Sequence, residues 1–334
     1  MTHVSLARIP SLAALVLCIG TSANAATYTT FDPPGSVETI PFSINSSGAI
    51  VGFYSTDNYT AHGFVRGADG AIASFDPEGS VVTVPLAIDD NGRICGEYTA
   101  HNRDRSHGFI REPDGTIAVF DAPRAVFTTR PVGFDADGNV AGYYTTKRSK
   151  GRGFIRSPDG TFTTYRIRKA LVTSTLGINS AGVITGSYFK LFHPAHGFLR
   201  APDGSVTSFD VPYADETVGV SINADGAVAG SYTDRDSIDH GFLRDAGGTI
   251  ATFDPKDSIE TESEEINASG AIVGTYETAD HVIHGFLRKP DGALGNIDDP
   301  DGVSTTPKSI NGKGVITGNF TDANGRIHGF IRTR

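Results

Sequence analysis

The feature that most constrains the fold is a five-residue motif, His-Gly-Phe-x-Arg, that recurs along the 334-residue chain every 44 or 45 residues. Its seven copies begin at His62, His107, Arg152, His196, His240, His284 and His328, and only the third copy replaces the histidine. A period of about 40 to 50 residues, built from short alternating segments and turn signals, is typical of β-propellers. The sequence therefore predicts an all-β fold: a seven-bladed β-propeller with four antiparallel strands per blade.

The first 25 residues have the pattern of a secretory signal peptide. Arg8 gives a positive start, residues 12–20 form an apolar run, and Ala23-Asn24-Ala25 is a small-residue cleavage site. The apolar run is too short to cross a bilayer, and no later stretch is apolar enough to do so. We therefore expect a secreted protein, extracellular or periplasmic, with no membrane insertion.

Cleavage after Ala25 leaves residues 26–334, about the length that seven repeats need, so we expect no second domain. The cleavage removes Cys18 and leaves Cys95 without a disulfide partner. It also leaves 27 basic against 38 acidic residues, a balance that disfavours nucleic acid as a partner. No cofactor motif is present, and we expect a monomer.

The repeat also predicts which residues face each other. A Pro-Asp-Gly turn joins the third and fourth strands, and a three-residue loop with Gly at its last position fixes their register. This register places His62 opposite Asp76, and repeat three supports the pairing because both partners change together, to Arg152 and Arg166. The other predicted pairs are His107 with Asp121, His196 with Asp210, His240 with Asp254, and His284 with Asp298.

The two ends of the repeat array are expected to meet. No fourth strand follows the last motif at His328, whereas residues 27–32 form an unmatched strand of that type, ending in Asp32. We therefore predict that this segment closes the ring and that Asp32 pairs with His328, which leaves no exposed sheet edge.

These histidines are interpreted as structural. Equivalent residues of seven blades lie on a wide ring and cannot converge on one metal ion. Each pair is expected to form a charge-assisted hydrogen bond between neighbouring blades. The arginines of the motif and a repeated threonine, from Thr39 to Thr305, receive the same architectural interpretation.

The repeat resembles a known family. The pattern Ile-Asn-x-x-Gly-x-Ile-Val-Gly-x-Tyr, as at residues 44–54, together with His-Gly-Phe-x-Arg and a following Phe-Asp-x-Pro, is similar to the HAF family of probable extracellular repeats. The resemblance runs from Ala26 to the end of the sequence, and repeat three departs most, at Arg152, Tyr165 and Arg166. It implies export and repetition, and it supplies no catalytic residue.

Function is expected on the face that carries the loops between second and third strands and between blades, because these loops vary while the opposite turns repeat. Repeat three places a basic patch there, which suits an anionic ligand such as an acidic glycan or is merely solvated. The candidate ligand-binding residues are Lys147, Arg148, Lys150, Arg152, Arg130, Lys308, His101 and His193, with Arg166, Arg168 and Lys169 near the patch.

Two weaker site types also have candidates. Asp234, Asp236 and Asp239 have a Ca²⁺-like spacing but lack the Gly and terminal Glu of a complete loop, so no metal site is assigned. Glu262, Glu264 and Glu265 lie near the predicted axis, where burial can raise a pKa, and are the best acid/base candidates. The alternative is that they pair with Arg130 or Lys308, or are solvated at the mouth of the central tunnel.

The preferred hypothesis is a secreted, non-catalytic binding module for a glycan, peptide or cell-surface protein. The alternative is an extracellular polysaccharide hydrolase or lyase with an axial carboxylate site.

Overall fold

The computed structural model describes residues 26–57, 59–100, 105–148 and 150–334. The predicted signal peptide lies outside these ranges. The described residues form 28 β-strands. Within these ranges there is no helix long and apolar enough to cross a bilayer.

Four strand types alternate along the chain in a fixed order. The first strand of each repeat is β2 (Glu38–Ile44), β6 (Ser80–Ile88), β10 (Thr128–Phe134), β14 (Val172–Ile178), β18 (Glu216–Ile222), β22 (Ser258–Ile266) or β26 (Ser304–Ile310). The second is β3 (Ile50–Ser55), β7 (Ile94–Ala100), β11 (Val140–Thr145), β15 (Ile184–Phe189), β19 (Val228–Thr233), β23 (Ile272–Thr278) or β27 (Ile316–Thr321).

The third and fourth strands complete each unit. The third is β4 (His62–Arg66), β8 (Ser106–Arg111), β12 (Gly151–Arg156), β16 (Ala195–Arg200), β20 (Asp239–Arg244), β24 (Ile283–Arg288) or β28 (Ile327–Thr333). The fourth is β5 (Ile72–Phe75), β9 (Ile117–Phe120), β13 (Phe162–Tyr165), β17 (Val206–Phe209), β21 (Ile250–Phe253), β25 (Leu294–Asn296) or, from the start of the chain, β1 (Thr27–Phe31).

The strands pair into repeated antiparallel sheets. Five separate four-stranded sheets are formed by β6–β9, β10–β13, β14–β17, β18–β21 and β22–β25. The quartets β2–β5 and β26, β27, β28, β1 form one eight-stranded sheet, joined by a single parallel pairing of Glu38 with Ile327. The fold is therefore all-β and built from one repeated four-stranded unit.

The hairpin between third and fourth strands has the predicted register. Gly63 faces Phe75 and Arg66 faces Ile72. Gly70 closes the three-residue loop with φ of 90°, a left-handed conformation that only glycine adopts at low cost. The pairing of His62 with Asp76 follows directly from this register.

The core lies between neighbouring sheets. The Phe of each His-Gly-Phe-x-Arg motif is fully buried, as are Ile50 and its equivalents at Ile94, Ile184 and Ile272. One cluster combines Cys95 and Ile110 of one sheet with Val140 and Phe154 of the next. Burial raises the pKa of the Cys95 thiol far above its usual range, so this cysteine is an inert core residue.

Arginines of the motif also join neighbouring sheets. The Arg66 guanidinium lies 5.2 Å from the centre of the Phe31 ring, and Arg111 lies 4.9 Å from Phe75 in the preceding sheet. Arg156, Arg200, Arg244 and Arg288 repeat this contact on Phe120, Tyr165, Phe209 and Phe253. Such cation–π contacts support the architectural interpretation of these arginines.

Asparagine side chains link five of the seven turns after the first strands to the next turn around the ring. The Asn45 amide donates to the backbone carbonyl of Asp89 in the next repeat over 3.0 Å, and equivalent bonds link Asn179, Asn223, Asn267 and Asn311 in turn. Asn311 donates to the carbonyl of Asn45 over 3.1 Å, across 266 sequence positions. Because this last bond joins the final repeat to the first, the sheets run around a closed ring.

The predicted meeting of the two ends is confirmed. β1 pairs antiparallel with β28, from Thr27 opposite Thr333 to Phe31 opposite Gly329. The Asp32 carboxylate lies 2.7 Å from Nδ1 of His328. Strands from both ends of the described chain therefore complete one antiparallel quartet.

Candidate functional site

The two ends of the ring carry different connections between strands. Because strands alternate in direction, the Asn-x-x-Gly and Pro-Asp-Gly turns share one end. The loops between second and third strands and the connections between sheets share the other. This second end is called the variable face below.

The six His–Asp pairs stand along the rim of the variable face. Nδ1 and the carboxylate oxygen are 2.7 to 2.9 Å apart in every pair: His62 with Asp76, His107 with Asp121, His196 with Asp210, His240 with Asp254, His284 with Asp298, and His328 with Asp32. The expectation that these bonds run between neighbouring blades was wrong. Each histidine is on a third strand and its aspartate directly follows the fourth strand of the same sheet, so the bond closes the end of one sheet.

The link to the next sheet comes from the repeated threonines, which are buried. Thr39 donates its hydroxyl to the Asp32 carboxylate over 2.6 Å. The hydroxyls of Thr129 and Thr173 accept the backbone N–H groups of Ala122 and Ile167, which follow the preceding fourth strands. These bonds support the structural interpretation of the threonine ring.

Repeat three concentrates basic side chains on the variable face. Lys147, Arg148 and Lys150 lie in the β11–β12 loop, Arg166, Arg168 and Lys169 in the β13–β14 connection, and Lys190 at the start of the β15–β16 loop. Within the described ranges none of these seven side chains forms an ion pair with a carboxylate closer than 4 Å. This group is called the basic sector below.

Arg152 has a different role from the rest of its predicted patch. Its guanidinium donates to the backbone carbonyls of Gly151 and Leu171, over 2.6 and 3.0 Å, and so joins the β11–β12 hairpin to the β13–β14 connection. Burial and the nearby charge of Arg166 lower the pKa of Arg152. The structure therefore uses Arg152 to bring the two basic loops together rather than to present it to a ligand.

The basic sector lies in a part of the sequence whose charge is opposite in sign to that of the whole chain. From Gly138 to Pro202 the chain contains ten Lys and Arg residues and a single acidic residue, Asp159, although the whole chain has a net charge of −10. Asp159 lies in a Pro-Asp-Gly turn at the opposite end of the sheet. The basic sector therefore faces solvent without local neutralisation.

Apolar side chains project from the same face beside the basic sector. Phe192 is 94% exposed and Leu191 60% exposed in the β15–β16 loop, and Tyr213 is 87% exposed in the β17–β18 connection. His193 is exposed in the same loop, whereas His101 lies outside the described residues. Leu191 and Phe192 are called the apolar tip below. Sequence analysis missed them, although two adjacent apolar residues in a loop between strands are a recognisable signal.

The axis of the ring is a cavity of about 270 Å³, lined by residues from the first strand of every repeat. Apolar side chains such as Leu86, Leu176 and Val220 line part of it, and Ser43, Ser221 and Glu265 contribute polar groups. Lys308 and Glu264 form an ion pair in the same lining, with their Nζ and Oε1 atoms 2.5 Å apart. The predicted pairing alternative is thus what the structure shows for Glu264 and Lys308.

Glu265 replaces a structural serine. Three other repeats have a serine at this position, and its hydroxyl accepts the N–H of an isoleucine in the next repeat, as Ser309 does from Ile44 over 3.1 Å; these serines are Ser43, Ser221 and Ser309. Glu265 accepts the N–H of Ile310 over 2.7 Å. Burial raises the pKa of Glu265 to about 7, against an ordinary value of 4.5.

Glu265→Gln should therefore change how stability depends on pH. The raised pKa means that the folded state holds a proton which the unfolded state has released, so wild-type stability should fall as pH rises from about 4.5 through about 7. Gln keeps an oxygen for the Ile310 N–H and has no charge, so at pH 8 the variant should be more stable by about 1 to 3 kcal/mol. Urea unfolding at pH 5 and pH 8 measures both values.

Glu264→Gln is the matched control for that experiment. It removes the charge that faces Lys308, so it should lower stability at pH 8. Parallel pH profiles for wild type and the Glu265 variant would contradict the assignment of a buried, protonatable carboxyl.

Arg130 also has a partner that sequence analysis missed. Its Nη1 atom forms a short ion pair with Glu97 of the neighbouring sheet. Glu97 occupies a position where other repeats have Phe, Tyr, Ser, Thr or Asn, and this departure was the available signal. Arg130 and Lys308, two predicted ligand-binding residues, are thus engaged within the protein.

The three aspartates with a Ca²⁺-like spacing, Asp234, Asp236 and Asp239, do not form a cluster of carboxylates. Oδ1 of Asp234 accepts the backbone N–H groups of Asp236 and Ile238, and these bonds lower the pKa of Asp234. Asp239 instead lies with Glu260 and Glu262, and one carboxylate oxygen of each is within 4.8 Å of the others. Ca²⁺ needs about six to eight oxygen ligands, of which three carboxylates supply only a part.

Glu262 is an axial carboxylate that lines a cavity and has a raised pKa. It lines a cavity of about 320 Å³ at the variable face, together with Glu216, Asp239 and Glu264. Burial, followed by the charges of Glu264, Glu260 and Asp239, raises its pKa. A carboxyl with a raised pKa in a cavity is suited to general acid catalysis.

Comparison with solved structures identifies the fold class. The chain is similar to a virginiamycin B lyase from Staphylococcus aureus, crystallised in a catalytically inactive form with quinupristin: TM-score 0.62, 13% identity, covering 92% of this chain and 99% of that one. It is also similar to the β-propeller domain of the Trilobed protease from Pyrococcus furiosus, described as having an open velcro topology, with a TM-score of 0.64 and 10% identity over 88% of this chain and 95% of that one. A prolyl endopeptidase gives a TM-score of 0.65 at 14% identity, covering 89% of this chain and 47% of that one.

These likenesses define the protein as a β-propeller. At 10% to 14% identity they establish the fold and not an activity. No protein-family model and no curated protein sequence matches the chain.

Proposed function

We propose that this protein is a secreted, seven-bladed β-propeller of the HAF repeat family that binds an anionic partner through its variable face and catalyses no reaction. The seven sequence repeats, each with its own antiparallel quartet, support the blade count. The leader-like residues 1–25 support export.

One observation carries the binding role: seven basic side chains without ion-pair partners among the described residues are gathered in adjacent loops of an acidic protein. A patch of one sign attracts ligands of the other sign and accelerates their association. The ligand classes that fit are an acidic glycan, an acidic peptide, or an anionic cell surface.

The proposal predicts that charge reversal at the exposed cations abolishes binding. The quadruple variant Lys147→Glu, Arg148→Glu, Arg168→Glu and Lys169→Glu should bind immobilised polygalacturonate or dextran sulfate at least tenfold more weakly than wild type, because four attractions become repulsions. Wild-type binding should also weaken as salt rises. Surface plasmon resonance at two salt concentrations measures both effects.

Glu262→Gln serves as the control, and it should leave binding unchanged because Glu262 lies in a different sector. Binding that is absent in the wild type, or that survives the four charge reversals, would contradict the proposed role.

A second candidate function is hydrolysis or elimination on an extracellular polysaccharide, with Glu262 as the acid. Its raised pKa and the adjoining 320 Å³ cavity favour it. Polysaccharide turnover that disappears in the same Glu262→Gln variant would establish this function instead.

A further inference from the structure

We propose that the variable face docks on an anionic lipid bilayer, with Leu191 and Phe192 entering the headgroup layer and the basic sector binding lipid phosphates. This inference rests on the proposed function, because it names the partner of the basic sector. The protein would lie on the membrane surface and would not cross it.

The apolar tip, Leu191 and Phe192, projects into solvent. Phe192 is 94% exposed and Leu191 60% exposed, so neither contributes much to a core. Phe192 has φ of 62°, the left-handed conformation that Ser237, His281 and Gly325 also adopt in the corresponding loops, and a bulky residue is costly at such a turn position. A strained backbone that presents an aromatic ring to water is more readily explained by binding than by stability.

The surroundings of the tip select an anionic surface. Lys190 lies one position before Leu191, and its Nζ atom is 5.6 Å from the centre of the Tyr188 ring. The β11–β12 and β13–β14 loops of the preceding sheet add six more cations on the same face. Apolar side chains flanked by Lys and Arg are the combination that holds peripheral proteins at the interface of anionic membranes.

A bilayer accounts for the apolar tip better than a soluble polymer does. An acidic polysaccharide would satisfy the cations, but it offers no apolar phase for Leu191. Tyr213, 87% exposed in the β17–β18 connection, adds an amphipathic ring of the kind that prefers the membrane–water interface. The basic sector, the apolar tip and Tyr213 therefore occur together on one part of the variable face.

The absence of tryptophan from the sequence allows a direct test. Phe192→Trp introduces a single fluorophore at the tip, and Val303→Trp introduces one at an exposed apolar position (56% exposed) in the β25–β26 connection on the same face. Both proteins, made without residues 1–25, are mixed with vesicles of phosphatidylcholine alone or of an equal mixture with phosphatidylglycerol. Only Phe192→Trp with the anionic vesicles should show a blue-shifted emission that lipids brominated near the headgroup quench.

Vesicle co-sedimentation completes the test. Leu191→Ser with Phe192→Ser should weaken binding to the anionic vesicles at least tenfold, while Val303→Ser should not, and binding of the double variant to soluble dextran sulfate should persist. Equal affinity for neutral and anionic vesicles, or no effect of the double variant, would overturn the membrane proposal. If dextran sulfate binding still required the basic sector, the proposed function would stand without it. If the double variant converted a dimer into a monomer in ultracentrifugation, the tip would bind a second copy and the membrane proposal would be wrong.

Discussion

Gly274→Ala is expected to destabilise the protein by about 3 kcal/mol or more, although it adds a single methyl group. Gly274 lies in β23, opposite the register shift of β22 between Ser263 and Glu265. A Cβ atom there would lie 2.0 Å from the backbone oxygen of Glu262 and 2.8 Å from the Phe286 ring. Because backbone cannot rotate away as a side chain can, β22 itself would have to move.

The same close approach recurs in every repeat. The added Cβ would lie 2.0 to 2.3 Å from a first-strand carbonyl oxygen at Gly52, Gly96, Gly142, Gly186, Gly230 and Gly318. The glycine of the Val-Gly-x-Tyr pattern is thus explained by the bulge of the neighbouring strand.

Gly295→Ala is the matched control for the first prediction, in the same sheet. Gly295 has no heavy atom within 4 Å of an added Cβ and no left-handed φ. Its substitution should change the free energy of unfolding by no more than about 0.5 kcal/mol. Urea unfolding of both variants measures the difference, and a similar small effect at Gly274 would contradict the described bulge.

Phe31→Ala is expected to cost about 3 to 5 kcal/mol, because Phe31 joins the closing strand β1 to the neighbouring quartet β2–β5. The Phe31 ring is buried and lies 5.9 Å from the Phe64 ring in an edge-on contact. The Arg66 guanidinium lies over the same ring, 5.2 Å from its centre. Truncation would remove both contacts and leave a cavity at the closure of the ring.

Thr29→Ala tests whether that loss is specific to closure. Thr29 is exposed on the same strand, so its substitution should change stability by about 0.5 kcal/mol at most. Thermal unfolding monitored by circular dichroism would show the contrast. Equal effects of the two substitutions would mean that β1 is not anchored through Phe31.

Most of the fold could be predicted from the sequence because each local pattern, such as the turn residues of a hairpin, occurs in seven repeats. The spacing of glycines and Asx residues fixed the hairpins, and the hairpin register placed His62 opposite Asp76. The unmatched strand ending in Asp32 indicated the partner of His328. These patterns depend on residues close together in the sequence, and their recurrence across the repeats shows that they are not coincidental.

The site was harder to predict because it lies where the repeats differ. Arg130 forms an ion pair with Glu97, and Arg152 donates to backbone carbonyls. The register of the strands within a sheet does not determine these contacts. Asp239 joins Glu260 rather than Asp234, because the β22 strand approaches it from the next sheet. Departures from the repeat marked these positions as unusual, but only the packing of one sheet on the next decides their partners.

Closure of the ring by β1 positions every loop of the variable face. Hydrogen–deuterium exchange of the protein without residues 1–25 tests it most directly, with β21 (Ile250–Phe253), the equivalent fourth strand of another sheet, as the internal reference. The amides of Thr27–Phe31 that pair with β28 should be protected as strongly as those of β21. Exchange of Thr27–Phe31 at the rate of an unstructured peptide, with β21 still protected, would contradict this closure.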